Sequence, residues 1–291
     1  MNVFRRQLTL LFAGFLVAGL VAPTRSSAQR DCDFAEFQRR AVAAVGQFVG
    51  SPSSGDLTEL RQLGATGERC LSSLTGFQKF LGHYLTGYVW YSLGVANGDG
   101  SLLDRARSHF QRAVQSYDAA YNRPEMLETS RLMVGWALAR RGDLAGDVNV
   151  LGKAVDALGT VGEPLRTDAI YLRGLVRLRE SEILFRSALA GLAETATDSA
   201  LTTLKLAVQD LNAVRRNARD ASLRASAAYW AGEAQVLVAK VQALLALNGR
   251  GTLPEKELAN LSESFDQLTR NQGLVSSVRR ASQVAAVYTK M

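Results

Sequence analysis

Apolar residues recur every three to four positions along almost the whole chain, and no run of β-branched residues alternates with polar ones as a half-buried strand would. The pattern predicts helices over 31–49, 56–74, 77–97, 101–121, 125–141, 144–160, 165–194, 197–217, 220–247, 254–270 and 274–289. Their boundaries have local causes. Ser51-Pro52-Ser53-Ser54-Gly55 cannot continue a helix, and Asp56 can cap the one that follows. Asn97-Gly98-Asp99-Gly100 reads as a turn, with Ser101 as the candidate cap of the next helix. Pro124, Pro164 and Pro254 each stand where a helix would begin, the position at which a missing N–H costs least. The expected fold class is all-α, about eleven helices whose short connections favour antiparallel pairs.

The helices repeat. A large–small–large apolar face occurs at Phe110, Ala113 and Tyr117, again at Leu151, Ala154 and Leu158, and again at Leu204, Ala207 and Leu211. Glycine set among bulky residues marks a second kind of helix, at Gly94, Gly135, Gly174 and Gly232. Glycine inside a helix costs roughly 1 kcal/mol against alanine, so its recurrence at equivalent points predicts close helix-to-helix approach. A repeated helix pair that buries its apolar face against its neighbours is the unit of a solenoid.

Trp90, Leu93 and Gly94 followed by Ala106, Phe110 and Ala113 resemble the tetratricopeptide repeat in residue type and spacing. Asn97 replaces the aromatic that the family usually places late in the first helix. Asp118 stands where a terminal proline is usual, with Pro124 six residues later, which predicts a longer second helix. A second unit is similar through Val134, Gly135, Leu138, Leu151 and Ala154, with Gly142-Asp143 at the expected inter-helix turn and Asp147 in place of a small residue. A third keeps Gly174, Ala200, Leu204 and Ala207 but has extra residues between its halves, so its first helix must run on or break; a fourth keeps the first-helix pattern around Gly232. The resemblance implies a right-handed α-α superhelix, a TPR-like solenoid. A generic alanine-rich helical bundle would share the helices without the superhelical stacking.

The first 28 residues change how the rest is read. Arg5 and Arg6 precede an apolar run from Leu8 to Ala22, then Pro23 and the small residues Ser26-Ser27-Ala28, the layout of a secretory signal peptide cleaved after Ala28. The apolar run is shorter than the roughly 20 residues that span a bilayer, which leaves an uncleaved anchor as the weaker reading. The expected organisation is a signal peptide at 1–28 and a single helical domain at 29–291. That domain comprises N-terminal helices at 29–76, four TPR-like units at 77–270 and a C-terminal capping helix at 271–291. The mature protein is expected to be periplasmic or secreted, with no stable membrane span.

Export revises the composition. The 291 residues carry 34 Lys+Arg, 27 Asp+Glu and a formal charge of +7, but Arg5, Arg6 and Arg25 leave with the leader, reducing the charge to +4. The remaining bases are interspersed with acids, which is a solvated surface and not a nucleic-acid footprint. Cys32 and Cys70 are an even pair in an oxidising compartment and would close a loop of about 38 residues, with two buried free thiols as the alternative.

Little in the sequence points to chemistry. His83 and His109 are the only two histidines, and neither has a recognisable nucleophile or acid beside it. Asp143 and Asp147 are explained as helix-start residues, Asn97-Gly98-Asp99-Gly100 lacks the carboxylates of a calcium loop, and Asn260-Leu261-Ser262 is a bare glycosylation sequon. No catalytic residue, metal site or cofactor is expected. The TPR resemblance implies a partner-binding concave face lined by first-helix residues. In this chain these are Tyr88, Tyr91, Trp136, Tyr171 and Tyr229, with Arg140 and Arg179 at its edge. Aromatic and arginine side chains carry interface energy, while tyrosine and tryptophan at helical spacing are equally explained as core. The expected function is a non-catalytic scaffold for a protein or peptide, possibly serving envelope assembly or solute transport. A small apolar-ligand binder is the alternative.

Overall fold

A computed structural model of the chain describes residues 32–50, 57–191, 195–250 and Asn260. Among the described residues every regular element is helical: α1 (Phe34–Gly50), α2 (Leu57–Cys70), α3 (Gly76–Asn97), α4 (Gly100–Ser116), α5 (Pro124–Ala145), α6 (Val148–Gly159), α7 (Arg166–Leu189), α8 (Ala196–Asn217) and α9 (Ala221–Leu247). A short 3₁₀ turn, Ala119–Tyr121, lies between α4 and α5. The leader, Asp56 and the helices expected at 254–270 and 274–289 lie outside the described residues, Asn260 excepted. Among the described residues no helix is long and apolar enough to cross a membrane.

Three boundaries differ from the sequence reading, each for a visible reason. The turn expected at Gly142-Asp143 lies further on, because α5 continues to Ala145. Gly146 then takes the left-handed conformation at φ +62° and Asp147 caps α6, accepting from the amides of Asn149 and Val150. At the preceding hairpin Gly98 is left-handed and Asp99, not Ser101, is the cap; the Ser101 hydroxyl instead donates to the Asp99 carboxylate at 2.7 Å. The helix expected to reach residue 121 stops at Ser116. Tyr117 is extended there, and the Asp118 carboxylate accepts from Ala120 N–H to start the 3₁₀ turn. The helix around Gly174 runs on unbroken, as α7 extends over 24 residues.

The chain divides into two compact units, Met1–Ala145 and Gly146–Met291. In the first, α3 is the centre. It packs against α1, α2, α4 and the edge of α5, while α4 packs broadly on α5. Its sequence has almost no polar face, and every residue from Phe80 to Gly94 is buried, as a helix that is hydrophobic all round must be. Phe77, Phe80, Tyr84 and Tyr88 form an aromatic stripe along it, meeting Phe110, Tyr117 and Tyr121 at ring separations of 5.1–6.3 Å. Cys32 and Cys70 stand at disulfide distance with their Cα atoms 5.3 Å apart, linking the start of α1 to the end of α2 beside Phe34, Leu71 and Leu74.

In the second unit α7 packs on α6, α8 and α9, and α8 packs on α9. Leu204, Ala207, Leu211 and Val214 of α8 are buried, with Ala169, Leu172, Val176 and Leu178 on α7. The close approach predicted from the recurring glycines is present at Gly94 and Gly174. A Cβ added at Gly94 would meet the Leu103 backbone nitrogen at 3.1 Å, and one at Gly174 would meet Leu211 Cγ at 2.8 Å.

Two stability measurements follow from this packing. Gly174→Ala pushes into a branched carbon that cannot swing away, so chemical denaturation should show a loss of about 1–3 kcal/mol, the range for overpacking. Gly152→Ala, with nothing within 4 Å of the added carbon, should instead gain up to about 1 kcal/mol from helix propensity. Reducing the cysteine pair should lower the melting temperature, since a 38-residue separation corresponds to about 3–4 kcal/mol on the chain-entropy account; an unchanged melting curve would remove the staple from the stability of this unit.

Candidate functional site

The residues expected to line a binding face divide by burial. Tyr88, Tyr91 and Tyr171 are buried, whereas Trp136, Arg140, Arg179 and Tyr229 are only partly covered. In the Met1–Ala145 unit, Tyr88 on α3 meets Phe110 of α4 edge-on at 5.1 Å, and the Tyr91 hydroxyl lies near Trp136 and Arg140 of α5. Burial pushes both phenols well above the ordinary tyrosine range, so they act as neutral hydrogen-bonding groups. Arg140 lies one turn beyond Trp136 on α5 and reaches Asp143 at 3.4 Å.

In the Gly146–Met291 unit the same chemistry recurs. The Tyr171 hydroxyl on α7 lies near Trp230 and Ser226 of α9, and burial raises its phenol to about 12. Tyr229 stacks edge-on against Trp230 at 5.1 Å and lies near Glu233. Arg179 stands apart from these aromatics, with its guanidinium 2.7 Å from Glu182 one turn along α7. Tyr88, Tyr91, Trp136 and Arg140 are thus brought together, as are Tyr171 and Tyr229 around Trp230.

Sequence reasoning treated the two histidines as isolated, and the structure places them in contact. His83 on α3 and His109 on α4 are both buried, with their Nδ1 atoms 3.2 Å apart. His109 Nε2 faces Glu68 Oε1 on α2 at 3.4 Å, and the same oxygen accepts from Trp90 Nε1 at 3.0 Å. Arg105 of α4 binds the other carboxylate oxygen at 3.1 Å and stacks over the Trp90 ring, 4.5 Å from its centroid. Glu68 therefore joins three helices. Trp90 reaches it because Gly64 leaves room on α2: a Cβ there would lie 2.6 Å from the indole. The available signal in the sequence was the hairpin itself, since folding α3 against α4 about Gly98 lays the stretch around 83 alongside the stretch that carries 109.

A second internal cluster joins α7 to α8. Asp210 is buried and takes a two-pronged contact from Arg173, at 2.9 and 2.6 Å, and one from Arg177 at 2.6 Å. The planar guanidinium of Arg173 matches the carboxylate geometry, which fixes the angular register of the two helices. Among the described residues no three His, Cys, Asp or Glu side chains are placed to hold a metal ion. In comparisons with known proteins, no family model matches the chain and no curated protein is significantly similar to it.

Glu68→Ala should destabilise the protein by about 1–3 kcal/mol, because it strands the buried Trp90 N–H and removes the Arg105 partner. Glu68→Gln keeps an acceptor for the indole and should lose less. Equal midpoints for the two variants in urea would mean that the hydrogen bond to Trp90 contributes nothing measurable.

Proposed function

We propose that this chain is a non-catalytic, exported binding protein, a TPR-like solenoid that holds a protein or peptide partner through the half-exposed residues of its glycine-marked helices. The observation that carries the reading is the setting of Trp136. Its indole lies near the buried Tyr91 hydroxyl while the residue remains partly exposed, with Arg140 one turn further along α5. A rigid aromatic next to a guanidinium is the composition in which interface energy concentrates, and arginine can take a partner carboxylate in two-pronged fashion. In the Gly146–Met291 unit, Tyr229 on the T-shaped pair with Trp230 offers a similar aromatic surface, with Arg179 as a further cation.

Several features support a binding role over a catalytic one. Both histidines are engaged in an internal hydrogen-bond chain, and the arginines of α7 nearest the core are committed to Asp210. The Cys32–Cys70 pair suits the oxidising compartment that the leader implies. An accessory role in envelope assembly or solute transport is the narrower form of the proposal.

The burial pattern decides which residues can test it. Replacing Tyr88, Tyr91 or Tyr171 would report on folding. Trp136→Ala with Arg140→Ala in the natively exported protein should reduce recovery of a copurifying partner by tenfold or more, with helical circular dichroism retained. Undiminished recovery from the folded double variant would contradict the proposed face.

A further inference from the structure

The two imidazoles meet through the same kind of atom, and that restricts their protonation. With Nδ1 opposite Nδ1 at 3.2 Å, one hydrogen fits between the rings and two do not. Glu68 sets the direction: its Oε1 accepts from His109 Nε2–H, which leaves His109 Nδ1 as the acceptor for His83 Nδ1–H. The neutral chain runs from α3 through α4 to α2. A first added proton can be shared between the rings with Glu68 as its counter-charge. A second puts two N–H groups face to face in a buried space, and the rings must part.

We propose that the His83–His109 pair is an acid-sensitive latch, which holds α2 and α4 on α3 at neutral pH and releases them when both imidazoles are charged. The charges around it favour release over accommodation. Lys79 on α3 and Arg105 and Arg112 on α4 all oppose a positive imidazole, against the single negative charge of Glu68 on α2. Burial adds to this, holding His83 down at about 4 and lowering His109 from its ordinary range. In the released arrangement each ring regains an ordinary value of roughly 6.5. The latch is therefore undiminished above about 6.5, weakens as pH falls below it, and goes on weakening as pH falls through about 4, where His83 takes up its proton in the latched state.

The position of the pair gives release a defined extent. The cysteine pair keeps the end of α2 tied to the start of α1, and Cys70 is two residues beyond Glu68. Losing the contact to His109 frees the α2 end of the Glu68 junction while α1 and α2 stay joined. A compartment that equilibrates with external acidity would operate such a device directly, and it acts on the unit that contains Trp136.

With only two histidines in the chain, ¹⁵N-histidine NMR of the full protein reads the pair without mutation. At pH 7 one ring should show the Nδ1–H tautomer and the other Nε2–H, with both titrating below the ordinary imidazole range. Over the same range hydrogen exchange, corrected for intrinsic rates, should show at least a tenfold loss of protection in α2 and α4 and none in α7 and α8. The double variant His83→Asn/His109→Gln should keep that protection flat between pH 7 and 4.5. Two rings titrating near 6.5, identical tautomers, or protection that persists after both are charged would each overturn the latch. So would a folded double variant that still opens at the same pH, because carboxylates such as Glu59, Glu68 and Asp104 would then be responsible.

Discussion

Burial of α3 on every side is the constraint from which the Met1–Ala145 unit follows. A helix whose fifteen residues from Phe80 to Gly94 are all withdrawn from water must be covered by other helices around its whole circumference. α1, α2, α4 and the edge of α5 supply that cover. Close cover needs small residues at the contacts, and Gly64, Gly87 and Gly94 are places where a methyl group would collide with Trp90, Phe110 or Leu103. The cost of glycine in helices is offset here by the apolar area that close packing removes from water.

A helix buried all round still carries polar side chains, and these explain the internal chemistry. His83 is buried and meets His109; Trp90 has an indole N–H to satisfy, and Glu68 accepts it. Each of these bonds crosses from one helix to another, so the polar groups fix orientation while the apolar ones supply most of the burial energy. The Gly146–Met291 unit uses different partners for the same end, with Asp210 tying α8 to two arginines of α7 and Tyr171 tying α7 to α9.

Periodicity made the helices legible, because apolar spacing and prolines act locally: α5 begins at Pro124 as expected, and the glycine-marked approaches at Gly94 and Gly174 are present. Turn positions were less legible. Gly142 and Gly146 are both glycines near a helix end, and only the left-handed backbone at Gly146, followed by the Asp147 cap, distinguishes the true stop. The candidate face was legible in part, because the TPR resemblance groups Tyr88, Tyr91 and Trp136 from two helices but does not say which side of the group meets water. Least legible was the Glu68 junction. It assembles residues from 68 to 109 on three helices, with no local pattern to mark it.

Native-state hydrogen exchange of the full protein at pH 7, followed against low concentrations of denaturant, tests the centrality of α3 most directly. If the unit is built around this helix, the amides from Phe80 to Gly94 exchange slowest in residues 57–145, and only through global unfolding of that unit. Exchange of these amides through a smaller opening, while α4 and α5 remain protected, would contradict the account.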